Sequence, residues 1–184
     1  TTFNAHGNVV TPENFDMFFD DGGELKGDVP SFDKLIFRGE FNAPVNHLSI
    51  DQPLEIIGEG AVFINMGVKI HSDDVKLDNL TFIADTASED GSLIFVDGNS
   101  VDLTNLNVSY SVGDVEAVAI DIKDCRNVNL LNSIIFFESH VVNDSKVSVG
   151  IQAVRTGNVL MDGNNITTKL PCVYVDTYDK DYYL

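Results

Sequence analysis

Val75-Lys76-Leu77-Asp78-Asn79-Leu80-Thr81-Phe82 is a phrase of two alternating triplets separated by two polar residues. It returns as Val101-Asp102-Leu103-Thr104-Asn105-Leu106-Asn107-Val108 and as Val128-Asn129-Leu130-Leu131-Asn132-Ser133-Ile134-Ile135. Val159-Leu160-Met161-Asp162-Gly163-Asn164-Asn165-Ile166 is a fourth copy. The leading valines stand 26 residues apart (75 to 101), then 27 (101 to 128), then 31 (128 to 159). A looser copy, Leu48-Ser49-Ile50-Asp51-Gln52, begins 27 residues ahead of Val75 (48 to 75). A period of this size, filled with alternation of strand type, marks a stacked repeat.

Within a copy, Val75 and Leu77 point inward and Lys76 outward. The two polar residues then bend the chain so that a second strand buries its own apolar set. The second bend residue is Asn79, Asn105 or Asn132, and Gly163 in the fourth copy. These are the types that accept a left-handed backbone at low cost. Stacked one per rung, the asparagines are also expected to hydrogen-bond along the axis as a ladder. A third strand precedes each phrase, at Val68–Ile70, Leu93–Val96, Ala119–Ile122, Gly150–Val154 and Cys172–Val175. Three short strands per turn predict an all-β chain, a right-handed parallel β-helix with rungs about 4.8 Å apart. The alternative is a β-sandwich with coincidental spacing.

Residues 1–30 read as a lead-in and a capping helix, and 31–184 as the coils. Thr11-Pro12-Glu13 supplies a capping threonine, a proline at the first helical position and an early carboxylate. Phe15, Phe18 and Phe19 give that helix an apolar side, and Gly22-Gly23 stops it. Its expected task is to cover the open end of the first coil. From Val68 the repeat is regular, and its insertions, 84–92, 110–117 and 138–148, fall at one corner, an edge that in solenoids often carries binding. Val173 and Val175 open a further coil that Tyr178 to Leu184 carry on without an evident cap. The coils are therefore expected to continue in a longer parent, or the far end to be sealed by another copy.

Eleven basic residues against 29 acidic ones give a net charge of −18, a surface that repels nucleic acid and anionic lipid. No stretch is long or apolar enough to span a bilayer, and neither an EF-hand loop nor a glycine-aspartate nonapeptide array occurs. Cys125 and Cys172 lie two rungs apart in this register, about 9.6 Å, which is beyond disulfide reach. They show neither zinc-ligand spacing nor a redox pair.

The outward residues of the third strand form a column up one face: Lys69, Phe95, Asp121, Gln152 and Tyr174, the candidate ligand-binding residues. Acid–base chemistry would want stacked carboxylates there, and the column offers one aspartate. Asp73-Asp74 resembles the paired aspartates of polygalacturonases, but that family's histidine and arginine–lysine motifs are missing downstream, so both read as turn residues. Arg38, Arg126 and Arg155 are scattered, and His6, His47, His71 and His140 have no spacing that suggests a metal site. No catalytic residue, metal ligand or cofactor site is assigned. Four glycosylation acceptor patterns occur, at Asn79, Asn107, Asn143 and Asn165. In a chain this rich in Asn, Ser and Thr, chance supplies two or three. Asn79 reads as a turn residue, and Asn143, in a long loop, is the candidate.

The phrase Pro12-Glu13-Asn14-Phe15-Asp16-Met17-Phe18-Phe19-Asp20, with Gly23-Glu24-Leu25 and Leu35-Ile36-Phe37-Arg38-Gly39-Glu40-Phe41, resembles the opening of adhesin-like surface proteins of methanogenic archaea. Leu54-Glu55-Ile56-Ile57-Gly58 and the valine–asparagine coils are similar too, so the likeness covers nearly the whole chain. The resemblance implies a secreted, multi-domain cell-wall protein at the cell surface. Its implied partner is a carbohydrate or protein of another cell, or it holds a distal binder away from the wall. No ligand motif carries over residue by residue. A polysaccharide lyase or glycoside hydrolase is the alternative, on the strength of the fold only.

Overall fold

The computed structural model describes residues 8–27, 29, 33–88, 91–139, 142–143, 146–169 and 172–177. Its strands wind into three parallel sheets, each coil contributing one strand to each sheet, which is a parallel β-helix. Sheet I takes the first strand of each phrase (Lys76–Asp78, Val101–Thr104, Val128–Leu131, Val159–Asp162). Sheet II takes the second (Thr81–Ala84, Asn107–Ser111, Ile134–Glu138, Asn165–Thr168). Sheet III takes the strand ahead of the next phrase (Gly67–Ile70, Ser92–Val96, Val118–Lys123, Val149–Thr156, Val173–Thr177).

Strand pairing aligns the inward residues into rows. Leu35, Ile56, Leu77, Leu103, Leu130 and Met161 run along sheet I. Phe41, Phe63, Phe82, Val108, Ile135 and Ile166 run along sheet II. Sheet III adds Leu48, Val68, Ile94, Ile120 and Ile151. The first coils hold a phenylalanine cluster, with Phe63 ring centroids 5.3, 5.4 and 5.2 Å from those of Phe37, Phe41 and Phe82. Edge-on ring contacts of this kind add to the burial term. Leu48-Ser49-Ile50 is not a copy of the phrase: it belongs to sheet III, opposite Val68–Ile70. The matching strand in sheet I is Leu54–Gly58, whose Ile56 faces Leu77 only 21 residues later (56 to 77). The shorter early coil moves a spacing of 27 onto the wrong strand.

The bend residues take the backbone expected of them, with φ of 56° at Asn79, 54° at Asn105, 51° at Asn132 and 67° at Gly163. The ladder at this corner runs through the main chain, however. The Asn79, Asn105 and Asn132 N–H groups donate to the carbonyls of Thr104, Leu131 and Asp162 on the next rung. The Asn79 and Asn105 carboxamides go elsewhere, to the Gly58 carbonyl and the Asp78 carboxylate, at 2.7 Å each. A side-chain ladder does exist at the corner between sheets III and I. There Asp73 Oδ1 accepts from the Asn99 N–H, Asn99 Oδ1 accepts from the Arg126 N–H, and Asn158 donates to Asn127. Asp73 and Asp74 are turn residues of this corner, Asp74 with φ of 56°.

The N-terminal capping helix is absent; a single 3-10 turn, Phe15–Met17, stands in its place. The Asn14 side chain accepts the Thr11 N–H at 2.7 Å, as a helix cap would, but Asp20 Oδ1 draws the Gly22 and Glu24 N–H groups into a tight turn that ends any coil there. The chain then reverses instead of coiling. The Phe18 carbonyl accepts from the Lys26 N–H, and Phe19 bridges antiparallel to Leu25. Phe15, Phe18 and Phe19 are buried all the same, and Phe15 and Phe19 lie against Phe41 and Phe37 at 5.9 and 6.0 Å. The first coil is thus lidded by three rings on a loop. Glu24 bridges to Ser49, which also occupies the free edge of sheet III.

Toward the last described strand the inward set is less covered. Val159, Met161 and Ile166 are partly buried, and Val173 and Val175 are 39% and 57% exposed. Residues Tyr178 to Leu184, expected to carry the coil on, lie outside the described residues. Cys125 is buried in a turn and Cys172 exposed just ahead of the last strand, and neither is bonded.

Candidate functional site

Strand pairing on the outer face of sheet III brings the five column residues together. Lys69 faces Phe95, Phe95 faces Asp121, Asp121 faces Gln152, and Gln152 faces Tyr174. Ser49 extends the column one rung below Lys69. The column therefore crosses six rungs, one side chain about every 4.8 Å. Lys69, Phe95 and Gln152 are half-buried, and Tyr174 is exposed.

Asp121 differs from the rest. It is an ionisable residue only 2% exposed, although it points away from the hydrophobic core. Its Oδ2 accepts from the Ser92 hydroxyl at 3.2 Å and lies 2.6 Å from the Lys123 ammonium. Its Oδ1 has no hydrogen-bond partner and no solvent contact. A buried carboxylate oxygen left without a donor costs on the order of 1–3 kcal/mol or more, so a native site that keeps one calls for an explanation.

A second row stands beside the first, two residues further along each strand. His71 follows Lys69, Asp97 follows Phe95 and Lys123 follows Asp121. Strand period places i and i+2 on one face, so the sequence already carried the signal for this row. His71 Nδ1 lies 2.9 Å from Asp97 Oδ1. The His71 ring and the Lys123 ammonium both sit 5.8 Å from the centre of the Phe95 ring. Phe95 is thus an aromatic platform with a cationic or protonatable group at each border, and each of those groups carries its own carboxylate. Ser92 had no such signal, because its contact with Asp121 depends on tertiary packing. On the inner side of the same patch, His47 Nε2 lies 3.2 Å from the Ser92 carbonyl, which also accepts from the Ser88 hydroxyl. Gly67 makes room for the His47 ring; a Cβ there would collide with it and with the Leu93 carbonyl.

The connections 85–91, 112–117 and 139–148 each lead from a strand of sheet II to a strand of sheet III. The second and third are tied to one another. Ser139 donates to the Val115 carbonyl at 2.7 Å, and Ser148 accepts from the Ala117 N–H. Asn143 lies in one of them, in a two-stranded hairpin opposite Lys146.

The remaining candidates are placed apart. An open cavity of about 460 Å³ lies at the start of sheet I, lined by Asp74, Lys76, Ser100, Asp102, Asn127 and Asn129 among others. Two of its charged groups are already matched: Lys76 with Glu55 and Asp78, and Asp102 with the Asn129 carboxamide. Burial works to raise the Glu55 carboxyl, but the Lys34 and Lys76 ammonium groups outweigh it and hold the group below its usual range. Arg38 forks onto Glu59 and Arg155 onto Asp124, so both arginines serve as corner clamps. His6 and His140 lie outside the described residues. Among the described residues no three of His, Cys, Asp and Glu stand close enough to hold a metal, and no helix is long and apolar enough to cross a membrane.

Nothing outside the chain adds to this description: no family model, curated protein or solved structure matches it.

Proposed function

We propose that this chain is a non-enzymatic recognition module of the cell exterior, and that it holds a neutral saccharide across the outer face of sheet III. The observation that carries the reading is the orphaned Oδ1 of Asp121 beside the Phe95 ring. A sugar offers both things such a place lacks, hydroxyl donors for the carboxylate and a C–H face for the ring. Lys123 neutralises Asp121 locally, which makes a metal cation a poor occupant. The net charge of −18 disfavours a polyanionic chain. Lys123 holds Oδ2 and stays as the counter-ion, while its flexible, one-third exposed stem shifts enough for a sugar hydroxyl to reach Oδ1.

The hydrolase or lyase alternative asks for a carboxyl group free to deliver or take a proton. The two carboxylates nearest Phe95 are instead committed, Asp121 to Lys123 and Asp97 to His71. The test is a glycan-array screen of the purified chain, run with and without calcium, followed by titration of the best ligand. Phe95→Ala and Asp121→Ala are expected to weaken binding at least tenfold, about 1.4 kcal/mol, while Lys76→Ala leaves it unchanged. A blank array, or binding that survives both changes, rejects the reading.

A further inference from the structure

Sheet II presents an outer face unlike the other two. Ile134 is 56% exposed and Phe136 37%, an apolar strip pointing outward from one strand, and Ile83, 46% exposed, lies two strands away beyond Asn107–Ser111. Ile83 pairs with Ile64 on its other side, and Ser109 separates those two from Phe136. Asn107 and Asn165 border the strip, one rung to either side of Ile134 and in register with it. Each begins an acceptor triplet, Asn107-Val108-Ser109 and Asn165-Ile166-Thr167. In a strand, the first and third residues of a triplet share a face. Asparagine and hydroxyl are therefore displayed together. Both asparagines are exposed, and neither carboxamide has a hydrogen-bond partner among the described residues.

The Asn79 triplet has the opposite situation. Asn79 Nδ2, the atom that would carry the sugar, donates to the Gly58 carbonyl at 2.7 Å from a left-handed corner. Substitution there costs a corner hydrogen bond, whereas at Asn107 and Asn165 it costs none.

We infer that Asn107 and Asn165 are a pair of N-glycan acceptors, and that their two glycans cover the exposed strip of sheet II. Two rungs, about 9.6 Å, separate the two anchors, so the first sugars of both chains stand over Ile134 and Phe136 and lay their C–H faces on them. The transfer is an ordinary displacement. A lipid-linked oligosaccharide supplies the anomeric carbon, and the Asn Nδ2–C1 bond forms as the C1–O bond to the lipid phosphate breaks. Nδ2 loses one proton, and the phosphate leaves with the lipid. The inference shares with the proposed function the premise of an exported chain, but it concerns a different sheet and does not depend on saccharide recognition.

The test is to express the chain behind an export leader in an N-glycosylating host. An added linker bearing one unrelated acceptor triplet reports that transfer took place. Because the leader forces export, the result does not depend on where the chain resides natively, and the glycan array above is scored separately. Peptide mapping by mass spectrometry is expected to find Asn107 and Asn165 occupied and Asn79 bare. The glycosylated protein is expected to bind a hydrophobic fluorescent dye several-fold less than the N107Q/N165Q variant, which keeps the same circular dichroism spectrum. Bare Asn107 and Asn165 beside an occupied linker site would overturn the inference. Equal dye binding by the two proteins would overturn the covering role.

Discussion

Changing Asn105 isolates what the corner asks of its residue. Its φ is 54°, and its carboxamide donates to Asp78 Oδ1 at 2.7 Å. In Asn105→Ala the left-handed backbone costs about 1–2 kcal/mol for a residue with a Cβ and no compensating polar side chain. The lost hydrogen bond adds about 1 kcal/mol, since Asp78 keeps its contacts with Thr104 and Lys76. The expected loss is therefore about 2–3 kcal/mol, or roughly 4–12 °C in Tm for a chain of this length. Asn105→Gly loses the same bond and gives the unfolded chain more freedom, but it meets the φ without strain. It should be milder than the alanine variant by about 1 kcal/mol. Urea titration followed by far-UV circular dichroism measures both, and the cycle with Asp78→Ala separates the hydrogen bond from the backbone. If glycine and alanine destabilise equally, and both effects vanish in the Asp78→Ala background, then the corner selects asparagine for its amide and the conformational reasoning fails.

Phe63→Ala removes the ring at the centre of the phenylalanine cluster and should cost about 3–5 kcal/mol; a loss below 1 kcal/mol in urea would mean the first coils repack freely. Cys125 is buried, and that burial, aided by Asp97 and Asp124, pushes its thiol up to about 11. A disulfide reagent at pH 8 should therefore titrate one thiol in the native chain, Cys172, and two in denaturant. The Glu55 and Asp78 carboxyls are held below their ordinary range in the folded state, Glu55 by Lys34 and Lys76 and Asp78 by Asn105, Thr104 and Lys76 outweighing burial. Their contribution is then complete at neutral pH and is lost as pH falls below about 4 through the folded values, so stability should drop on acidification. Glu55→Gln should flatten that drop, and an unchanged acid profile would contradict the assignment.

The architecture was legible because the residues that decide it are local. Asn79, Asn105, Asn132 and Gly163 announce a left-handed corner by type and position alone, and the alternation around them fixes which side chains are inward. The same alternation gave the column from Lys69 to Tyr174. What escaped depends on partners far apart in the chain. The run from Thr11 to Phe19 reads as a helix start until Leu25 and Lys26 are seen turning back onto Phe19 and Phe18. Asp73, Asn99 and Asn127 form their ladder only because coils of nearly equal length bring them into line. Ser92 and Lys123 matter because both meet Asp121, and no spacing announces the orphaned oxygen between them.

The contrast between the two ends of the core gives the molecule a direction. Each coil leans only on its neighbours, so local opening free energy follows the quality of the adjoining interfaces. Phe15, Phe18 and Phe19 close one end of that stack, while Val173 and Val175, on the last described strand, are partly exposed to water. Amide hydrogen exchange should accordingly be fastest along Val173–Thr177 and slow progressively toward Phe63. A pulling force applied at the last described coil would meet the weakest interface first. The chain would then unzip rung by rung toward its aromatic lid, and refolding would grow outward from that lid as from a seed.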